Sequence, residues 1–305
     1  MFVILYLLEE GDFMCVSFKF KDSIKDNLVN ISGKRFSDYG MMWGRLSEIT
    51  RIDLEILQRY DDWYILDDGF YYFKCHSIFE ELFMSELSHE CNVRCVEFKI
   101  AENNLMNEYP FKALGIMSKL YRNRDNNYYE YSDFCKKYFN HIPNNLMVFK
   151  LASSIAFGED KSQKLMEDIY NLITFDIFSG QWDREEHNFF FECSDNGVRI
   201  APLCDNGMIF DKKLTYHSPF GDFSLSDINN NESFRKNLLF LIDNERMFCE
   251  KFAYLLDIDI NEVLKRTIDK YRIIMNIDEQ RKILDYFDDR KSAVEYTLKL
   301  SKKNR

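Results

Sequence analysis

A chain of 305 residues is long enough for one large two-lobed domain or two ordinary ones, with a sizeable core. Apolar residues at 46%, with 28 Phe and 18 Tyr, exclude a disordered chain, and only 11 Gly and 4 Pro argue for long helices over a turn-rich all-β protein. The formal net charge of −11 repels phosphate backbones and anionic headgroups, which disfavours direct nucleic-acid binding and work at a membrane surface.

The opening MFVILYLLEE has no basic leader and no cleavage pattern, so it reads as a strand and not a signal peptide. No run reaches the length that spans a bilayer, so no membrane insertion and a cytoplasmic location are expected. Strand-like runs follow at Phe2–Leu8 and Cys15–Phe20, with a helical stretch near Gly44–Tyr60. The segment WYILDDGFYYFK (63–74) alternates around Asp68-Gly69, a two-residue hairpin signal, and Lys74 ends its second strand. Ser77 is an N-cap candidate with Glu80 as capping-box partner, for a helix that places Ile78, Leu82 and Leu87 on one side. VRCVEFKI (93–100) reads as a strand. Helical patterns then dominate, at 130–140, at 161–178 and several times over 233–300. The expected layout is a small β-rich part, residues 1–105, and a larger helical part, 106–305, with a hinge near Glu102–Tyr109. Eight cysteines contain no Cys-x-x-Cys pair and read as buried reduced thiols. His76, His89, His141 and His217 show no metal-ligand spacing.

The chemistry-bearing stretch is GQWDREEHNFFFECSDNGVRIAPLCDNG (180–207). Asn196-Gly197 is a favoured central pair for a type I′ turn, flanked by the strand-like FFFEC and VRIAPL. Asn188 and Asp205 stand at equal distances from that turn, so an unbroken register sets them opposite each other, with Cβ atoms about 5 Å apart. An amide oxygen beside a carboxylate is a hard-oxygen site suited to Mg²⁺. Asp183, five positions before Asn188, is placed to orient an attacking hydroxyl and accept its proton. Acid, Asn five positions on, hairpin, second acid is the order of a kinase catalytic loop and metal-binding Asp. Lys74, followed by a helix bearing Glu80, Glu81 and Glu86, supplies the ingredients of a phosphate-clamping ion pair. Glu81 is the expected partner, because it falls one turn from Ser77 and Ser85 while Glu80 serves the cap. Each signal alone also fits a plain role: Asp183-Arg184 an exposed loop, Lys74 a solvated surface pair, Trp182 a packing residue. Their combination in one order favours phosphoryl transfer.

On these residues the chain resembles the HipA-like kinase family, whose catalytic segment reads Asp-Arg-His-x-x-Asn, a hairpin, then Pro-Leu-Tyr-Asp. The matching stretches are DREEHN (183–188) and APLCDNG (201–207), and YYFK (71–74) resembles the family's ATP-lysine strand. The same order is found in phosphatidylinositol 3/4-kinases. The resemblance spans roughly 63–300, with specific motifs at 71–87 and 180–207. It implies a two-lobed α+β protein-kinase-like fold with a small β-rich N-lobe and a larger helical C-lobe. It also implies Asp183 as catalytic base, Asn188 and Asp205 as magnesium ligands, and Lys74 with Glu81 on the ATP phosphates. The activity implied is transfer of the ATP γ-phosphoryl group, with Mg²⁺, to a serine or threonine of a protein substrate, with room for a regulatory partner protein. Glu185 stands at the family's histidine position and Cys204 at its tyrosine; no Gly-rich loop precedes Lys74, and NISGKRF (30–36) reads as a surface turn in preference to a phosphate-cradling one. The alternatives are a nucleotide-binding pseudokinase acting as an interaction module, which the missing Gly-rich loop favours, and a kinase for a lipid or small molecule. The segment 211–227 reads either as an activation segment, with Thr215, Ser218 and Ser224 as phosphorylation candidates, or as a connector.

Overall fold

A computed structural model describes residues 14, 16–21, 23, 29–31, 34–35, 63–66, 69–74, 77–103, 113–119, 125–182, 184–186, 188–204, 206–210, 214–225 and 232–303. The strand expected at Phe2–Leu8 and the helix expected near Gly44–Tyr60 lie outside these residues. In chain order the elements are β1 (Lys19–Phe20), β2 (Val29–Ile31), β3 (Lys34–Arg35), β4 (Trp63–Leu66), β5 (Gly69–Lys74), α1 (Ile78–Glu90), β6 (Phe98–Asn103), β7 (Ala113–Lys119) and β8 (Asn127–Tyr129). There follow α2 (Tyr131–Phe139), α3 (Leu146–Phe157), α4 (Glu159–Ser179), the hairpin β9 (Phe191–Ser194) and β10 (Gly197–Ile200), and the hairpin β11 (Thr215–Ser218) and β12 (Gly221–Ser224). The chain ends in α5 (Glu232–Asn244), α6 (Arg246–Tyr254), α7 (Ile260–Lys270), β13 (Ile273–Ile274) and α8 (Ile277–Lys303).

Six strands form one mixed sheet in the order β2-β6-β7-β5-β4-β3, with only β2 and β6 parallel. β7 lies beyond the boundary expected at residue 105 yet pairs with both β5 and β6, so the sheet does not end there. The sequence 113–119 (ALGIMSK) lacks period-two alternation because Gly115, Ile116, Met117 and Ser118 are all buried, which hides a central strand from pattern reading. The β4–β5 pairing sets Gly69 opposite Leu66, so Gly69 opens the return strand instead of sitting inside the turn.

α1 connects β5 to β6 and is buried on all sides, with ten of its 13 residues inaccessible. The capping box expected at its start is not formed. Ser77 takes a left-handed backbone (φ 47°, ψ 37°) and its side chain caps nothing, because a capping side chain needs extended backbone to reach the first free N–H groups. α1 is fastened to α7 by ion pairs, Glu86 to Lys270 at 2.6 Å and Glu90 to Arg266 at 2.7 Å.

The core runs from α1 through the helices. Phe79 and Phe83 of α1 pack on Phe210, which packs on Tyr286 and Phe287 of α8, and Phe287 packs on Phe178 of α4, with ring centroids 5.1–6.4 Å apart. The three consecutive phenylalanines divide between two environments. Phe189 and Phe191 join Tyr131, Phe149 and Phe220, while Phe190 packs with Tyr128 and Ala201. Both faces of this entry into β9 are therefore buried, and the loop before it is anchored at its C-terminal end. No helix among the described residues is long and apolar enough to cross a membrane.

Candidate active site

Lys74, the last residue of β5, is 4% exposed, and its Nζ lies 2.6 Å from Oε1 of Glu81, which is 0% exposed. β5 ends at the sheet's edge of the helical body and α1 begins four residues later, so the Glu81 side chain, one turn into α1, comes back over the strand end. A solvated surface pair is therefore not what forms: both groups have left water. The second carboxylate oxygen of Glu81 is buried and accepts no hydrogen bond from the described residues. Beside it, burial pushes the half-buried Glu80 carboxyl up to about 7, with Glu81 adding repulsion and Lys74 and a backbone hydrogen bond opposing.

Gly207 comes against this pair from the other side of the chain. A Cβ at Gly207 would lie 2.5 Å from Ser77 Cβ, 3.0 Å from Ser77 Oγ and 3.2 Å from Lys74 Nζ. The absent side chain is what lets the 206–210 backbone reach the lysine, and that backbone immediately follows position 205.

The segment 206–210 is laced to the loop after α4. Gly180 ends α4 in a left-handed conformation (φ 71°) and turns the chain outward. Trp182 N–H donates to Met208 O at 3.3 Å, and Phe210 N–H donates to Ser179 O at 3.1 Å. Phe210 holds a left-handed backbone (φ 64°) despite its bulk, with its ring fully buried.

Arg184 is the centre of this arrangement, and its side chain is wholly buried although Trp182 and Glu185 of the same loop are exposed. Its guanidinium donates through Nε and Nη2 to both carboxylate oxygens of Asp176 in α4, at 2.9 and 3.0 Å. Nη2 also donates to Asn206 Oδ1 at 2.7 Å, and Nη1 donates to the Asn188 carbonyl at 3.1 Å. Tyr216 of β11 donates its hydroxyl to Asp176 Oδ2 at 3.1 Å. Burial alone would lower the Arg184 pKa, but the Asp176 carboxylate outweighs it and holds the guanidinium charged. Burial pushes Asp176 upward, against Arg184 and Tyr216, which favour its ionised form.

Of the residues singled out by sequence, Lys74 and Glu81 come together, and Asn188 sits half-buried in the loop that Arg184 grips. Asp183 and Asp205 fall outside the described residues, though the residues on both sides of each are described. The hairpin register differs from the expected one. Ser194 pairs with Gly197 and Phe191 with Ile200, so the turn residues are Asp195 and Asn196, and Asn188 falls in line with Leu203 instead of Asp205. Neither turn residue has a positive φ, whereas Gly197 has φ 132°, so Gly follows the two central residues as it does in type I turns. What brings the two loops together is the Arg184 fork, not strand register.

Asp176, Asn206 and Tyr216 escaped sequence reading. Asp176 was findable: a lone acid within LITFDIF, on a helix otherwise apolar at that end, must be buried and hence paired. Among the described residues no group of three His, Cys, Asp or Glu is arranged to hold a metal ion, and the six described cysteines carry free thiols. The segment 211–227 contains a hairpin, β11–β12, in which the Ser224 side chain is buried while Thr215 and Ser218 are half-buried.

No family model matches this chain, and no curated protein matches it in sequence. Solved structures do. The proinflammatory kinase CtkA of Helicobacter pylori superposes with a TM-score of 0.54 over 79% of this chain and 90% of its own, at 12% identity. HipA of Shewanella oneidensis MR-1, solved with HipB and operator DNA, gives a TM-score of 0.45 over 77% of this chain and 59% of its own, at 13% identity. The chain thus has a mixed helix-and-strand fold similar to that of the kinase CtkA.

Proposed function

We propose that this chain is an ATP- and Mg²⁺-dependent kinase that transfers the γ-phosphoryl group to a serine or threonine hydroxyl of a protein. The observation that carries the reading is the buried Lys74–Glu81 pair lying against Gly207, on a segment that Asn206 and Arg184 tie to the Asp183–Asn188 loop. In this reading the sheet with α1 is the smaller lobe and the helices from α2 onward form the larger one. The residues present suit such a ligand. The missing Cβ at Gly207 leaves the lysine ammonium room beside the 206–210 backbone.

Lys74 would hold the phosphates and Asn188 with Asp205 the metal; bound MgATP supplies the transferable group and the cation that offsets its charge. Glu81 keeps the lysine ammonium charged and aimed, since an unpaired ammonium at that burial would tend to lose its proton. Asp183 receives the proton of the acceptor hydroxyl, a role that needs a carboxylate held in place by its neighbours Trp182 and Arg184. The test is thermal: MgATP at millimolar concentration should raise the melting temperature by mass action, and Asp205→Ala should remove most of the magnesium-dependent part. An unchanged wild-type melting curve would count against the reading.

A further inference from the structure

We propose that Asn206 and Tyr216 are positioning residues that act through Arg184 to fix the Asp205 segment relative to the Asp183–Asn188 loop. This rests on the phosphoryl-transfer reading above and names what aligns its two loops. Four side chains form one buried relay, Asn206–Arg184–Asp176–Tyr216, with links of 2.7, 2.9 and 3.1 Å. Each member comes from a different segment: Asn206 from the stretch after 205, Arg184 from the loop after 183, Asp176 from α4, and Tyr216 from the β11–β12 hairpin.

The charge balance makes the relay selective. One guanidinium meets one carboxylate, so the buried centre is neutral as a unit, and two further donors of Arg184 go to an amide oxygen and a backbone carbonyl. The guanidinium is planar, so its bonds to Asp176, Asn206 and Asn188 lie in one fixed fork. Rotating either loop away would strand a buried N–H of a charged group, which costs far more than a neutral hydrogen bond yields. Asn206 is itself held by its amide, which donates to Cys95 Sγ at 3.9 Å. Tyr216 closes the far end, so the hairpin that follows the loops is docked on the same carboxylate.

The experiment uses the full chain with Asn206→Ala and Tyr216→Phe, read two ways. Hydrogen exchange follows the Trp182 and Phe210 amides, whose bonds to Met208 and Ser179 run between the two loops. Asn206→Ala should lower their protection about tenfold or more while α8 amides stay protected. The Mg²⁺ concentration for half-maximal phosphoryl transfer should rise about 10–100-fold, the usual effect of losing a partner behind a metal ligand, with kcat largely recovered at saturating Mg²⁺. Tyr216→Phe, which keeps the ring, should shift both readouts the same way by a few-fold. Unchanged exchange at Trp182 and Phe210 in Asn206→Ala would overturn the relay, as would a lower melting temperature with wild-type Mg²⁺ dependence. A wild type with no Mg²⁺-dependent transfer would instead refute the kinase reading, and exchange alone would then decide whether the relay couples the loops.

Discussion

Gly207→Ala is the sharpest single perturbation the geometry offers. Carbon atoms in ordinary contact stand about 3.5–4.0 Å apart, and the new methyl would meet Ser77 Cβ at 2.5 Å, a deficit of roughly 1 Å against an atom fixed to backbone. Overpacking of this kind costs about 1–3 kcal/mol, and here it would also push the 206–210 segment off Lys74. Ser77 offers a matched remedy. It holds φ 47° and its hydroxyl caps nothing, so Ser77→Gly removes the clashing carbon and relaxes a left-handed residue, a gain of about 1 kcal/mol. Urea denaturation of the two single variants and the double variant would read this directly. Gly207→Ala should be destabilised by about 1–3 kcal/mol, and Ser77→Gly should restore most of that loss, giving a coupling well above the roughly 0.5 kcal/mol expected of independent sites. The MgATP-induced rise in melting temperature should fall in Gly207→Ala and return in the double variant. A Gly207→Ala protein as stable as wild type, or effects of the two changes that simply add, would refute the claim that Gly207 is there for close approach.

Lys74→Met should cost about 3–5 kcal/mol by leaving Glu81 charged and buried without its cation, and Lys74→Met with Glu81→Leu should recover much of it; additive losses in denaturation would show that the pair is not coupled. Glu80 has a folded-state pKa of about 7, above its ordinary 4.5, so the folded state holds the proton longer. Its contribution is fully present below about pH 4.5 and is lost as pH rises towards 7. Glu80→Gln should therefore flatten the fall of stability with pH across that window, and an unchanged slope in denaturation at pH 5, 6 and 7 would contradict it.

The parts legible in sequence were those fixed by local chemistry. Lys74 at a strand end, followed by a helix with an acid one turn in, needs only helix periodicity to predict the ion pair. The turn at 195–196 was misplaced by one residue because Asn-Gly fits two turn types, and the register they imply differs although the hairpin does not. The Ser77 cap failed because Ser77 holds a left-handed backbone, which keeps its hydroxyl from the first free N–H groups and outweighs a preference worth about 1 kcal/mol. β7 was hidden because a strand buried on both faces carries no alternation. The Arg184 relay joins residues 8, 22 and 40 positions apart along the chain, distances over which no sequence period operates.

The measurement closest to the central claim is transfer of label from γ-labelled ATP by the wild type and by Asp183→Ala, to the protein itself and to the proteins of a cell lysate. The account predicts Mg²⁺-dependent labelling of serine or threonine by the wild type, reduced by about 10²-fold or more in Asp183→Ala while MgATP still raises that variant's melting temperature. A wild type that binds MgATP but labels nothing, or an Asp183→Ala variant that labels as well as wild type, would contradict it.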